Sequence, residues 1–137
     1  MIDSHPSPRL AFVLDRRAAR FAFAAWLALV VAVSIGAYAG ALPTSLPAVP
    51  GADKVGHFFL IGGLVFFLDA ALARRDVGRR GVRVPLAAVL VLVPAAIEEY
   101  LQRLSPRRSS SFGDYAADVA GVAALTWLSR RFVALRS

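Results

Sequence analysis

The sequence contains no cysteine, and this absence excludes disulfide bonds, thiolate catalysis and cysteine-ligated zinc. Lysine and histidine are scarce, since Lys54 is the only lysine and the histidines are His5 and His57. Zinc sites usually draw on several nitrogen or sulfur ligands, so we expect no catalytic zinc. Charged residues make up only 18% of the chain, whereas hydrophobic residues make up 58% and the mean hydropathy is +0.60. The 137 residues therefore have the composition of one membrane domain.

The chain is strongly basic, with a formal net charge of +7 and a sequence pI of about 11.2. In a soluble protein this charge would raise the question of nucleic-acid binding. Here the arginines fall between apolar runs, without aromatic interleaving or a recognisable binding motif. We therefore expect no nucleic-acid partner and interpret the arginines as anchors at a lipid bilayer.

Four apolar stretches predict four membrane-spanning helices, at about residues 21–42, 54–73, 84–102 and 114–133. A span needs about 20 mostly apolar residues. The first stretch meets this length outright, whereas the third reaches it only by taking in Glu98 and Glu99. The expected fold is an all-α integral membrane four-helix bundle. A basic cytoplasmic segment at residues 1–20 precedes the membrane domain at residues 21–135.

The basic residues predict the orientation of this bundle. With a cytoplasmic N-terminus, twelve Arg residues fall on the cytoplasmic side and four basic residues fall outside: Lys54, Arg103, Arg107 and Arg108. The positive-inside rule therefore favours two cytoplasmic termini. A signal peptide cleaved after Ala39 is a competing interpretation. The apolar run is long for a signal peptide and cleavage would leave the termini on opposite sides, so we expect the first helix to be retained.

Polar residues occur at helical spacing where three of the predicted helices meet the outer surface. They are Asp53, Lys54 and His57 on the second helix, Glu98, Glu99 and Gln102 on the third, and Asp114 and Asp118 on the fourth. Ionised side chains within a membrane are costly and usually face a bundle interior, so we expect one outward-opening polar site. Taken singly, Asp53 or Asp114 would also fit a helix cap. Both glutamates lie near the face of Gln102, so the spacing alone does not distinguish Glu98 from Glu99.

Asp69 lies near the other end of the second helix, away from these residues. Arg74 and Arg75 follow closely enough to neutralise its carboxylate, so we predict a structural ion pair there. A proton-coupled role for Asp69 is the alternative.

The spacing of the polar residues resembles that of the VanZ-like family of small bacterial membrane proteins. That family has Asp-Lys-x-x-His at the start of one helix and Glu-x-x-Gln later, followed by Arg, Asp, Asn and Gly at steps of six, six, four and three residues. The matching residues here are Asp53, Lys54, His57, Glu99, Gln102, Arg108, Asp114, Asp118 and Gly121. The sequence departs from the pattern at Asp118, which stands where the family usually has Asn.

The resemblance implies a four-helix protein of the bacterial cytoplasmic membrane and favours Glu99 over Glu98. The family's namesake is associated with resistance to glycopeptide antibiotics of the teicoplanin type, and the family has no settled biochemical activity. The resemblance therefore supplies candidate residues and a cellular setting without supplying a reaction. The additional negative charge of Asp118 would change what the site holds unless this carboxyl group is protonated.

The first functional hypothesis is an enzyme or binder of a lipid-linked or cell-envelope substrate at the outer leaflet. Arg108, with Arg107 and Lys54, would hold a phosphate or carboxylate, because guanidinium forks suit such oxygen atoms. Glu99 would be the general base, and His57 would be its partner acid or an orienting group. The remaining candidates for substrate binding are Gln102, Asp53, Asp114 and Asp118.

Carboxylates such as Asp114 and Asp118 also suit a hard divalent cation. We expect them to pair with Arg108 and Lys54 instead, so no cofactor is predicted. Two other functions remain open: a small proton- or ion-coupled transporter or channel, and a non-catalytic accessory membrane protein. The sequence does not fix the oligomeric state.

Overall fold

The computed structural model describes residues 12–41, 50–79, 81–104 and 111–136, which form four helices and two short strand pairs. The helices are α1 (Arg16–Tyr38), α2 (Ala52–Ala71), α3 (Leu86–Gln102) and α4 (Phe112–Phe132). The strands are β1 (Phe12–Asp15), β2 (Asp76–Val77), β3 (Val84–Pro85) and β4 (Val133–Arg136). The four predicted helices are confirmed, and the chain is mostly helical.

The expectation of a purely all-α fold missed the two strand pairs. β1 runs parallel to β4, with Phe12 opposite Val133 and Asp15 opposite Arg136. β2 and β3 pair in antiparallel orientation within the connection between α2 and α3. Strands of two to four residues carry too little alternation of polar and apolar residues to be recognised in a sequence. The β1–β4 pair brings the segment before α1 beside the segment after α4.

The starts of α1 and α4 follow from local capping by side chains. α1 begins at Arg16, earlier than residue 21, because the side chain of Asp15 accepts a hydrogen bond from the backbone N–H of Arg17 at 3.3 Å. At the start of α4, Ser111 and Asp114 form a reciprocal capping box. This box fixes the first turn of α4, and with it the direction in which the Asp114 carboxylate points.

The helices α2 and α4 pack side by side in the same direction. Lys54 contacts Asp114 at one end of the pair, and Asp69 contacts Arg130 at the other. The two backbones approach closely at Gly121, where an added methyl group would overlap the carbonyl oxygen of Phe58. Small residues allow such close helix contacts in membranes as well as in soluble proteins. Gly121, the last residue of the motif, is therefore part of this interface.

The buried core is small and the apolar surface is large. The fully packed apolar residues come from α2, α3 and α4: Leu64, Val65, Ala87, Ala88, Val91 and Val122. Large apolar side chains remain exposed on every helix, including Phe21 at 77%, Ile97 at 56% and Trp127 at 61%. Among the described residues, α1 and α2 are long and apolar enough to cross a membrane, with mean hydropathy of 2.1 and 1.5.

Candidate functional site

Polar residues from α2, α3 and α4 meet at one end of the bundle, as their spacing predicted. We call this group the polar cluster; it comprises Asp53, Lys54, His57, Glu99, Gln102, Asp114 and Asp118. The grouping follows from the alternating direction of successive helices, which brings the start of α2, the end of α3 and the start of α4 to the same end. The opposite ends of α2 and α4 carry a separate ion-pair network.

Lys54 connects the first turns of α2 and α4. Its ammonium nitrogen lies 2.9 Å from a carboxylate oxygen of Asp53 and 3.2 Å from Oδ1 of Asp114. The Lys54 and Asp53 side chains are about half exposed, whereas Asp114 is buried. Lys54 and Asp53 therefore form the solvent-facing edge of the polar cluster, and Asp114 forms part of its interior.

Asp114 also has a structural role at the start of α4. Its second oxygen, Oδ2, accepts a hydrogen bond from the backbone N–H of Ser111 at 3.0 Å. The Ser111 hydroxyl in turn accepts one from the backbone N–H of Asp114 at 3.2 Å. The helix-cap interpretation of Asp114 is therefore correct, and the same carboxylate contributes to the polar cluster.

His57 is held by the residue at which this sequence departs from the family pattern. Nδ1 of His57 lies 3.0 Å from Oδ1 of Asp118, and the Asp118 side chain is only 3% exposed. The two side chains are therefore joined by a hydrogen bond between α2 and α4. Asp118 thereby fixes the orientation of the imidazole ring.

Glu99 is the glutamate that belongs to the polar cluster. It is 4% exposed and its neighbour Gln102 is 1% exposed, whereas Glu98 is only partly buried. One ligand atom from each of His57, Glu99 and Asp114 lies within 4.8 Å of the other two. Three helices thus direct a nitrogen and two carboxylate oxygens toward one point, and Glu99 supplies the carboxylate of α3.

A cavity of about 190 Å³ opens beside Glu99, between α3 and α4. Its lining combines Glu99 and Arg103 with three aromatic rings and one small residue: Tyr100, Phe112, Tyr115 and Ala96. The sequence interpretation counted Arg103 only as a basic residue on the outer side and gave the aromatic residues no role. Their position next to the Glu-x-x-Gln and Asp114 motifs was the signal that could have revealed them.

A larger cavity of about 580 Å³ lies at the other end of the bundle. Apolar side chains of β1, α2, α4 and β4 line it, among them Phe66 and Phe132. Among the described residues, no titratable or hydrogen-bonding side chain lines this cavity, so they offer no group for acid–base chemistry or for binding an anion there.

The predicted ion pair of Asp69 has a different partner from the one expected. Arg130 of α4 donates two hydrogen bonds to the fully buried Asp69 carboxylate, at 2.8 and 3.1 Å, and also pairs with Asp76 at 2.9 Å. Arg74 instead donates to the backbone carbonyls of Ser129 and Val133 at the end of α4. The parallel packing of α2 and α4 brings Arg130 opposite Asp69, and proximity in sequence does not decide the pairing.

Arg107 and Arg108, which were predicted to hold an anionic group, lie in residues 105–110, outside the described part of the chain. Among the described basic residues, Lys54 belongs to the polar cluster and Arg103 lies beside it. Both are exposed. Residues 105–110, which include Arg108, belong to the connection between α3 and α4, the two helices beside the 190 Å³ cavity.

Comparison with known proteins gives no match, whether the chain is compared with protein-family models, with curated proteins or with solved structures. The resemblance to the VanZ-like family therefore rests on the spacing of the motif residues in the sequence. The function has to be inferred from this spacing and from the geometry of the polar cluster.

Proposed function

We propose that this chain is a VanZ-like multi-pass protein of the bacterial cytoplasmic membrane that binds and modifies an anionic lipid-linked or cell-envelope substrate at the outer leaflet. The observation that carries the proposal is the 190 Å³ cavity lined by Glu99, Arg103 and aromatic rings. A buried acid and a cation beside an apolar wall suit a lipid head group better than a fully polar metabolite. Its link to teicoplanin-type resistance is suggested by the motif resemblance.

The membrane setting is supported by the apolar surface of the bundle. Phe21, Ile97 and Trp127, on three different helices, are all more than half exposed, as expected where the surrounding medium is lipid. With α1 and α2 as spans, α3 and α4 complete a four-helix membrane bundle. The polar cluster then lies at the outer surface. The many arginines at the other ends of the helices favour a cytoplasmic position for both termini.

The chemistry assigned to the site is general acid–base catalysis. Glu99 accepts a proton from a hydroxyl group or a water molecule that occupies the cavity, and the oxygen so activated bonds to the phosphorus or carbonyl carbon of the substrate while the bond from that atom to the departing group breaks. His57, oriented by Asp118, donates a proton to the departing group, as an imidazole is suited to do near neutral pH. Arg103 and Arg108 hold the phosphate or carboxylate of the substrate through their planar guanidinium groups.

A non-catalytic accessory role is the second candidate, and one observation favours it. Lys54, His57 and Asp114 already have partners inside the polar cluster, which is what an internal structural network requires. In that case, substitutions in the cluster would lower the amount of folded protein in proportion to function. The transporter hypothesis has less support, because Asp69 is held by Arg130 and the other titratable groups collect at one end of the bundle.

Native mass spectrometry of the gently extracted protein tests the catalytic proposal. We expect wild type to carry a phosphate-bearing lipid or envelope precursor, Arg108→Ala to lose it, and Glu99→Gln to retain more of it because turnover is blocked. Arg108→Lys should also lose it, because an ammonium group does not reproduce the forked contact.

Glu98→Gln is the matched control, since it makes the same isosteric change one residue outside the polar cluster. It should behave as wild type. All variants are compared at equal helical content and equal elution volume. If folded wild type carries no phosphate-bearing molecule, or if Arg108→Ala carries as much as wild type, the proposed binding function is wrong.

A further inference from the structure

We propose that the larger cavity, at the end of the bundle opposite the polar cluster, binds an acyl chain of an anionic phospholipid whose head group is held by Arg16 and Arg131. The cavity has a volume of about 580 Å³, within the range of about 300–1,000 Å³ that is usual for sites of small molecules and cofactors. The function proposed for the polar cluster does not use this cavity. The two proposals share only the membrane setting of the bundle.

The lining of the cavity suits a hydrocarbon chain. All of its described lining residues are apolar, among them Leu14, Phe66, Leu128 and Phe132. A hydrocarbon chain has no hydrogen bonds to lose on entering such a cavity, and each methylene group that leaves water favours binding. A polar metabolite would lose its hydrogen bonds to water and gain none from these side chains. The lining therefore selects the apolar part of a lipid.

The cavity opens at the surface of the bundle. Among its lining residues, Leu128 is 40% exposed, Phe132 is 44% exposed and Val13 is 63% exposed. The buried apolar core of α2, α3 and α4 consists of other residues. Because the lining side chains reach the surface, an acyl chain enters from the surrounding bilayer without displacing this core.

Two arginines lie next to residues that line the cavity. The guanidinium carbon of Arg131 lies 5.6 Å from the centroid of the neighbouring Phe132 ring. Arg16, the first residue of α1, follows two residues after Leu14. In the orientation proposed above, this end of the bundle faces the cytoplasmic leaflet, where anionic lipids give the surface a negative potential. The arrangement is complementary to a phospholipid, with its chain in the cavity and its head group at the arginines.

The two arginines have charge available for an anion. Among the described residues, neither Arg16 nor Arg131 forms an ion pair, and both are exposed. The described acidic residues at this end have partners of their own, namely Arg130 for Asp69 and Asp76, and the backbone N–H of Arg17 for Asp15. Guanidinium groups bind phosphate through two parallel hydrogen bonds. A zwitterionic head group would bring a second cation beside the arginines, so an anionic lipid is preferred.

The experiment is native mass spectrometry of the delipidated full-length protein in detergent, mixed with equal amounts of phosphatidylglycerol and phosphatidylcholine that have the same acyl chains. We expect one phosphatidylglycerol per chain, in about 10- to 25-fold excess over phosphatidylcholine, because each arginine near an anionic head group contributes about fivefold. Arg131→Gln should reduce this preference about fivefold. Arg83→Gln is the matched control, because it removes the same charge from an exposed position in the connection between α2 and α3 and should leave the preference unchanged.

The apolar part of the site is tested by filling the cavity. Leu128→Trp places a larger side chain in it and should weaken phosphatidylglycerol binding by about fourfold for each methylene group that it excludes. Leu90→Trp makes the same change at a 49% exposed position of α3, away from the cavity, and should have no effect. Glycerol phosphate, which has the anionic group without acyl chains, should not displace the lipid.

Cross-linking locates the lipid in wild type, so the test does not depend on how well a variant folds. Phosphatidylglycerol with a photoreactive group on its acyl chain should label β1, the second half of α2 and the end of α4. Equal binding of the two lipids by folded wild type, displacement by glycerol phosphate, or cross-links confined to α3 would each overturn the proposal.

The same variants separate this site from the polar cluster. Phosphatidylglycerol in the cavity should be retained by Arg108→Ala and by Glu99→Gln, and weakened by Arg131→Gln. The phosphate-bearing substrate proposed for the polar cluster should be lost in Arg108→Ala and retained in Arg131→Gln. Phosphatidylglycerol that follows Arg108 instead of Arg131 would place the lipid at the polar cluster, which overturns the proposal for the cavity and leaves the proposed function intact.

Discussion

Replacing Asp69 with asparagine removes the negative charge of the most deeply buried carboxylate among the described ion pairs and changes the side-chain shape very little. Asp69 is 0% exposed, and both of its oxygens accept hydrogen bonds from Arg130, at 2.8 Å and 3.1 Å. In Asp69→Asn, Arg130 faces a neutral amide and keeps only Asp76, at 2.9 Å, as a charged partner. The guanidinium group is then left partly buried without its main counter-charge.

The size of the effect follows from this geometry. Removing one partner of a buried pair typically costs about 3–5 kcal/mol. Arg130 is 29% exposed and retains Asp76, so we expect the lower end, about 3 kcal/mol. For a chain of this length 1 kcal/mol corresponds to roughly 3–5 °C in Tm, so Asp69→Asn should lower Tm by about 10–15 °C.

Thermal unfolding in detergent, followed by far-UV circular dichroism, measures this shift. Asp76→Asn is the matched control, because it removes the other, partly exposed partner of Arg130 and should lower Tm by no more than about 5 °C. A double replacement, Asp69→Leu with Arg130→Met, should recover most of the loss. Equal shifts in Tm for Asp69→Asn and Asp76→Asn, or a shift below about 3 °C for Asp69→Asn, would refute the conclusion that Asp69 is the main charged partner of Arg130.

Two further predictions concern the backbone of the helices. Gly121→Ala should destabilise the fold by about 1–3 kcal/mol, because the new methyl group overlaps the carbonyl oxygen of Phe58. Gly56→Ala, where a methyl group meets no atom within 4 Å, should instead be neutral or stabilise α2 by up to about 1 kcal/mol. Ala73→Gly should stabilise the protein by about 1 kcal/mol, since Ala73 has a φ of 54° that glycine adopts without steric cost. Ala71→Gly, at the last helical residue of α2, should lower stability by up to a similar amount. If chemical denaturation shows that both glycine variants are stabilised, or that both are destabilised, the explanation from the φ of Ala73 is wrong.

Most of the fold could be predicted from the length of the apolar stretches and from the helical spacing of their polar residues. The four apolar stretches predicted four helices, and their bounds lie within a few residues of the observed ones except at the start of α1. That start depends on the side chain of Asp15, a local cap that hydropathy does not reveal. The two strand pairs were missed because pairing between β1 and β4 depends on residues separated by almost the whole chain.

Residues three or four apart share one face of a helix, so the polar residues of each helix were expected on one face. The meeting of His57, Glu99 and Asp114 could therefore be predicted from the sequence. The helical period alone did not distinguish Glu98 from Glu99, which only the motif resemblance did, because adjacent residues differ by about 100° around a helix and the packing of α3 decides which one is buried. Burial of Glu99 at 4% exposure is therefore a result of tertiary structure.

The sequence by itself determined the number of helices, their alternating direction and the end of the bundle where the polar residues collect, because these depend on local length, period and charge. Tertiary structure decided the partners. Asp69 pairs with Arg130 and not with its sequence neighbours, and His57 pairs with Asp118. Both pairs depend on the rotation and offset of α2 against α4, which the close backbone contact at Gly121 fixes and which no local pattern in the chain encodes.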